Sequence, residues 1–335
     1  MKIITDLSHY RKMEYPNLVL ALGNFDGFHR GHQEIVRFVT DEARKIKGTA
    51  AVLTFKQHPR RVLAHGDAPT ILTSMMHKLY LLHQASIELC FLLDFSAEFA
   101  RTGADEFVRH VLMGSLGVKE VCLGFNAHFG NDRRGNAAFM KPYAAKGDFK
   151  FHEIKSVMVG SEVASSTLIR KVIQQGDLGK AQMLLGKPYS FFGEAVSGHG
   201  RGKMLGYPTA NLDTHSETMP PEGIYAVWIR VIDCEMVESS AGWHDFRVNK
   251  TGKLLSGVMY YGKCPTFEKD GKPVPEVHIL DYHDELKGAL VEVTVGACIR
   301  GERTFTDQES LCEQIEKDVT IAKKWLDEHP IFRIS

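Results

Sequence analysis

The chain has 335 residues and carries 41 basic and 41 acidic side chains, so its formal net charge is zero. That length predicts two domains rather than one core, and with no block of like charges neither a nucleic acid nor a membrane surface is expected as a partner. Met1–Asp6 lacks the apolar centre of a signal peptide, no apolar run is long enough to span a bilayer, and the six cysteines avoid C-x-x-C spacing, all of which predicts a soluble cytoplasmic protein with reduced thiols.

The first half alternates strand and helix signals. Leu18–Leu22 is a continuous apolar run, predicting a buried strand of a parallel sheet. Gln33–Ile46 follows with Ile35, Val36, Val39, Ala43 and Ile46 at helical spacing. Between them lies Gly23-Asn24-Phe25-Asp26-Gly27-Phe28-His29-Arg30-Gly31-His32, a glycine-rich strand-to-helix turn. Such a turn lets a ligand approach the backbone and offers unpaired helix-end N–H groups to an anion. The residues alone also allow His29 and His32 to cap, to pack or to bind zinc. Strands follow at Ala50–Phe55, Leu89–Leu93 and Glu120–Gly124, with helices over Ser74–Ala85 and about Ala97–Leu112. This order predicts a mostly parallel α/β sheet covered on both faces, with ligands at the carboxyl edge of its strands.

Three further segments stand at such edges or at a helix start. Thr54-Phe55-Lys56-Gln57-His58-Pro59 places His58 after the second strand, where a loop and a pocket wall are equally good readings. Gly124-Phe125-Asn126-Ala127-His128-Phe129-Gly130 runs on to Arg133 and Gly135. Ser165-Ser166-Thr167-Leu168-Ile169-Arg170 opens a helical pattern, which by itself is a cap.

From Lys187 onward strands succeed one another: Phe191–Val196, Ile224–Val231, Leu254–Tyr261, Val277–Tyr282 and Leu290–Val295, closed by a helix over about Asp307–Leu326. This predicts a small antiparallel barrel and a domain boundary between residues 186 and 187. The stretch from Asp233 to Gly252 reads as an insertion in a strand connection. The glycine-rich segment Gly198–Asn211, with Gly200, Lys203, Gly206, Thr209 and Asn211, lacks the G-x-x-x-x-G-K-[ST] order of a P-loop.

Taken together these segments resemble, over nearly the full length, the prokaryotic bifunctional riboflavin kinase/FAD synthetase family. The resemblance rests on G-x-F-D-G-x-H-x-G-H at 23–32, T-F-x-x-H-P at 54–59, the 124–135 segment, S-S-T-x-I-R at 165–170, P-T-A-N at 208–211, P-E-G-I-Y-A at 221–226, E-V-H-I-L-D-Y at 276–282 and I-R-x-E-x-x-F at 299–305. It implies a Rossmann-like nucleotidyltransferase domain (1–186) followed by a flavokinase-like barrel with a C-terminal helix (187–335). ATP, riboflavin and FMN are the implied substrates, with Mg²⁺ as cofactor. His29, His32 and Arg170 are then expected to stabilise charge in adenylyl transfer. Gly23, Phe25, Asp26, Gly27, Gly31, His58, Asn126, Phe129, Arg133, Ser165, Ser166 and Thr167 are expected to line that site. In the barrel the resemblance implies Glu276 as general base, Thr209 and Asn211 as Mg²⁺ ligands, and Gly198, Gly200, Lys203, Gly206 and Arg300 around the nucleotide. Two departures, Ala127 in place of an aromatic and Cys264 before P-T-F, keep two alternatives in view: an adenylyltransferase with a weak kinase half, and a flavin-binding regulator without turnover.

Overall fold

A computed structural model describes residues 1–59, 62, 70–196, 206–240, 242–263, 273–282 and 286–331. Gly198, Gly200, Lys203 and Cys264 fall outside these. The chain divides into two compact units, one of Met1–Ser166 with Cys234–Val248, the other of Thr167–Asp233 with Asn249–Ser335.

The first unit is built on a parallel sheet of β1 (Lys2–Ile4), β2 (Val19–Leu22), β3 (Ala50–Phe55), β4 (Leu89–Leu93), β5 (Glu120–Gly124) and β6 (Lys150–Ile154), in the order β1-β4-β3-β2-β5-β6. Every residue of β2 and β4 is buried, which is why both read as unbroken apolar runs. Chain direction across the sheet reverses at β2, whose neighbours are β3 and β5; the carboxyl ends there form the crevice in which such sheets hold ligands. Helix α1 (Arg30–Lys45) packs Ile35, Val36, Val39 and Ala43 on that centre. Helix α2 (Met75–Gln84) is buried along much of its length.

The helix expected over 97–112 is displaced. A single 3₁₀ turn at Phe99–Arg101 ends at Thr102-Gly103, and α3 then runs as Ala104–Glu106 continued by a wider π-helical stretch, Phe107–Leu116, closed by Gly117 at φ +62°. Helix α4 (Ala137–Ala145) precedes β6. A short ribbon of β7 (Met158–Val159) and β8 (Glu162–Val163) then leads to α5 (Ser166–Gln174) and α6 (Leu178–Leu185).

The second unit contains β9 (Ser190–Val196), β10 (Ala210–Asp213), β11 (Gly223–Glu238), β13 (Leu255–Gly262), β14 (Val274–Ile279) and β15 (Leu290–Gly301). They pair antiparallel in the order β13-β14-β10-β9-β15-β11, and β11 pairs back on β13, so the barrel closes and leaves no free edge. Helix α7 (Gln308–Glu328) is capped by Asp307, which accepts from Ser310 N at 2.7 Å. It packs Ala322 and Leu326 against Ile224, Ala226, Trp228 and Val258.

The 233–252 stretch extends β11 and forms β12 (His244–Thr251). In the first unit β12 pairs antiparallel with β1, Lys2 opposite Asp245, covering an edge that would otherwise expose unpaired backbone groups.

Candidate active sites

The turn after β2 is held in a conformation that costs energy. Phe25 (φ +52°), Gly27 (φ +84°) and Phe28 (φ +42°) all occupy the left-handed region, unfavourable for two phenylalanines. A set of hydrogen bonds over-determines it. Asp26 Oδ1 accepts from Leu72 N (2.8 Å) and Thr73 N (3.1 Å), and Thr73 Oγ1 accepts from Gly27 N (3.1 Å). Thr54 Oγ1 donates to Asn24 O (3.2 Å), and Ser166 Oγ to Asp26 O (2.8 Å). The Ser166 bond ties the start of the 165–170 segment to the glycine-rich turn.

His29 is the N-cap of α1 but makes no side-chain capping bond, so its ring is not spent on the amino end of this 16-residue helix, the kind of end that favours anions. The His29 and His32 rings stack with centroids 3.7 Å apart and planes 20° from parallel. Phe25 meets His32 edge-on at 5.3 Å. Neither His29 Nδ1 nor His32 Nδ1 has a hydrogen-bond partner among the described residues, a costly arrangement in a buried place unless a ligand supplies one. Burial pushes His29 down to about 4. It lowers His32 well below the ordinary histidine value, helped by the nearby charges of His29 and Lys78. At neutral pH both rings are therefore uncharged.

Several of the expected site residues also make contacts within the frame. Phe25 is fully buried against His32, and the Asp26 carboxylate is committed to the 72–73 backbone. Phe129 lies in an aromatic cluster, 5.4 Å from Phe107 and 6.2 Å from Phe139, and a Cβ at Gly135 would stand 2.4 Å from its ring. The aromatic at the carboxyl end of β5 that faces solvent is Phe125, 45% exposed. Asn126, Arg133 and Thr167 are exposed, His58 and Ser165 are half-buried, and Arg170 is buried in α5.

Lys78 was not anticipated. It sits on α2, 5% exposed, and its Nζ donates to Asn24 O (3.3 Å), Thr54 Oγ1 (3.3 Å) and Phe55 O (2.8 Å). A lysine one helical turn after Ser74, immediately before the apolar 79–82 run, was the available signal.

In the barrel, β10 lies between β9 and β14, with Asn211 directly opposite Glu276. The Thr209 hydroxyl donates to Glu276 Oε1 at 2.6 Å. The Thr209–Asn211 segment thus meets Glu276, distant in sequence, across the strand pair, and using the Thr209 proton on the carboxylate leaves the hydroxyl's lone pairs free for a cation. His278 Nδ1 stands 2.8 Å from Pro208 O, with the Tyr207 ring edge-on at 5.5 Å, which braces the strand entry. Gly206, at φ +85° with open space around it, ends the glycine segment in a conformation other residues resist.

Arg300 pairs with the closing helix. Its Nε donates to both Asp318 carboxylate oxygens at 3.0 Å, Nη2 to one of them at 2.8 Å, and Nη1 to Gly301 O at 3.0 Å. A bidentate pair this buried fastens β15 to α7.

The FAD synthetase family model matches residues 11–168 and the riboflavin kinase family model residues 185–326. A bifunctional riboflavin kinase/FMN adenylyltransferase of Haemophilus influenzae is 33% identical over 98% of this chain and 100% of its own length. That of Bacillus subtilis is 32% identical over 94% of each chain. Among solved structures, a macrolide-efflux protein from Streptococcus pneumoniae superposes with a TM-score of 0.76 at 29% identity, covering 96% of this chain and 98% of that one. Among the described residues no helix is long and apolar enough to cross a membrane. The chain belongs to the bifunctional riboflavin kinase/FMN adenylyltransferase family, enzymes that phosphorylate riboflavin with ATP and adenylylate the resulting FMN.

Proposed function

We propose that residues 187–335 carry the riboflavin kinase reaction at Thr209, Asn211 and Glu276, and residues 1–186 the adenylyl transfer at the 23–32 turn. The observation that carries the kinase assignment is the meeting of Thr209 and Glu276 at 2.6 Å, beside Asn211 on the paired strand. Glu276 takes the proton of the terminal ribityl hydroxyl as it attacks the γ-phosphate of ATP. The donor set of a hydroxyl and an amide oxygen, from Thr209 and Asn211, fits Mg²⁺, a hard cation that uses few protein ligands and takes the rest from phosphate and water. When bound there, Mg²⁺ neutralises charge on the transferring phosphoryl group. Gly198, Gly200, Lys203 and Gly206 surround the phosphates in this reading.

In adenylyl transfer the FMN phosphate displaces pyrophosphate from the α-phosphorus of a second ATP. An anionic nucleophile needs no strong base, so neutral His29 and His32 serve as hydrogen-bond donors to phosphate oxygens, completing their orphaned nitrogens. A bound triphosphate draws protons toward them by its charge. Ser166 and Arg170 address the same phosphates, and Phe125 offers a ring face to the flavin. Both reactions run in the cytoplasm, where ATP is supplied and the scattered thiols stay reduced.

The test is Thr209→Val, a near-isosteric change. FMN formation by the variant should require roughly tenfold more Mg²⁺ for half-maximal rate, as expected for a lost oxygen ligand, while FAD formation from FMN keeps the unmodified Mg²⁺ dependence. An unchanged Mg²⁺ requirement in FMN formation removes Thr209 from the metal site.

A further inference from the structure

We propose that Lys78 is a positioning residue for adenylyl transfer: its buried ammonium clamps the glycine-rich turn to the carboxyl end of β3 and sets a fixed positive charge beneath the two histidines. This rests on the assignment of the 23–32 turn as the adenylyl-transfer site. The three hydrogen bonds spend all three ammonium protons on acceptors from two strand ends, Asn24 O after β2 and Thr54 Oγ1 and Phe55 O on β3. Asn24 O also accepts from Thr54, so the first bend of the strained turn is gripped from two sides.

These acceptors are all neutral. A cation buried on neutral oxygens is expensive to keep, and a fold that needed only a clamp could use an uncharged donor. The charge makes sense where anions arrive. It stands on the turn that leads into α1, near enough to act on His32, in a buried place where fixed charge acts strongly on phosphate and on the charge that shifts during nucleotidyl transfer. It also favours the uncharged form of His32.

The groups facing Lys78 leave it a clear titration window. His29 and His32 lie well below neutrality, the Cys90 thiol on β4 is pushed up to about 12, and Asp26 lends a favourable charge from the turn. Burial lowers Lys78 itself to about 8.

The experiment follows FMN-to-FAD conversion in the full-length enzyme from pH 6 to 9.5, for the unmodified protein, Lys78→Met, Lys78→Arg and His29→Ala. Riboflavin phosphorylation in each preparation reports on folding. In the unmodified enzyme the adenylylation kcat should fall as pH rises through about 8, when the ammonium loses its proton. Lys78→Met should lower kcat by about 10- to 100-fold with KM for FMN within about twofold and the kinase intact, and its profile should lack the limb near 8. Lys78→Arg, whose charge persists, should move that limb upward. A Lys78→Met enzyme with unmodified kcat overturns the proposal. So does a flat unmodified profile that Lys78→Arg leaves unchanged, a result readable even if Lys78→Met fails to fold. Should His29→Ala also retain full FAD formation, the site assignment itself fails; if only His29→Ala is impaired, the fault lies with Lys78 alone.

Discussion

In the proposed assignment the two candidate sites handle the same ligand, ATP phosphate, in opposite surroundings. The adenylyl-transfer turn is buried, strained and nearly dry: two stacked uncharged histidines, a lysine with neutral acceptors, and a backbone held at positive φ by hydrogen bonds from 54, 73 and 166. The kinase site sits on open strand ends, where Thr209 and Glu276 meet in a hydrogen bond exposed to solvent. Burial explains the difference in cast. In a buried place, fixed donors and a fixed charge act strongly on an oxyanion; where water remains, a base and a divalent cation concentrate charge locally. Each site should therefore fail in its own way when a residue is removed.

The largest effect is expected at the exposed site. Glu276→Gln keeps the Thr209 contact but cannot take a proton, so riboflavin phosphorylation should fall by about 10²- to 10⁴-fold while FMN-to-FAD conversion persists. A nearly unchanged kinase rate would show Glu276 to be an ordinary strand carboxylate. Next, His32→Ala should cost adenylyl transfer about 2–4 kcal/mol in barrier, the scale of a lost oxyanion donor. Stopped assays from FMN would measure it, with the kinase rate unmoved; equal loss of both activities would mean that the stack is structural.

Acid sharpens the contrast. His29 is held at about 4 against an ordinary 6.5, so the unfolded chain binds the proton more readily between those values. Stability should be complete above pH 6.5, decline as pH falls toward 4, and reach a loss of about 3 kcal/mol below that. Denaturant midpoints taken across pH 7 to 4 should show this slope in the unmodified protein and a shallower one in His29→Ala. The smallest effect concerns the barrel frame. Asp318→Asn unpairs Arg300 and should destabilise the second unit by about 2 kcal/mol, below the range for fully enclosed pairs because Arg300 keeps some solvent. Denaturant unfolding followed through Trp228 and Trp325 reads it directly.

Much of this was legible from residue order. Ala50–Phe55, Leu89–Leu93 and Glu120–Gly124 are strands at the bounds their apolar runs suggest, because strands buried on both faces are mostly apolar; the buried Glu120 is tolerated through its pairing with Lys150 and His152. β6, with a half-exposed pattern at the sheet edge, and the four-residue β10 gave no such signal. The histidine turn was visible as a motif, but its supports were not. Phe25, Asp26, Phe129 and Arg300 stand in conspicuous motifs, but their contacts with His32, the 72–73 backbone, Phe107 and Asp318 could not be read there, because a side chain's partners depend on its rotamer and on neighbours distant in sequence. Lys78 escaped notice for the converse reason: a lysine on a helix is ordinarily solvated, and only the fold reveals that this one points inward.

The central claim is that one chain holds two separable sites. Its most direct test is complementation. His29→Ala and Glu276→Gln enzymes are each supplied with riboflavin, ATP and Mg²⁺, alone and mixed, and FMN and FAD are separated over time. The account predicts that His29→Ala accumulates FMN, that Glu276→Gln makes almost nothing from riboflavin, and that the mixture restores FAD. A mixture that still makes no FAD, or a His29→Ala enzyme that makes no FMN on its own, would contradict it.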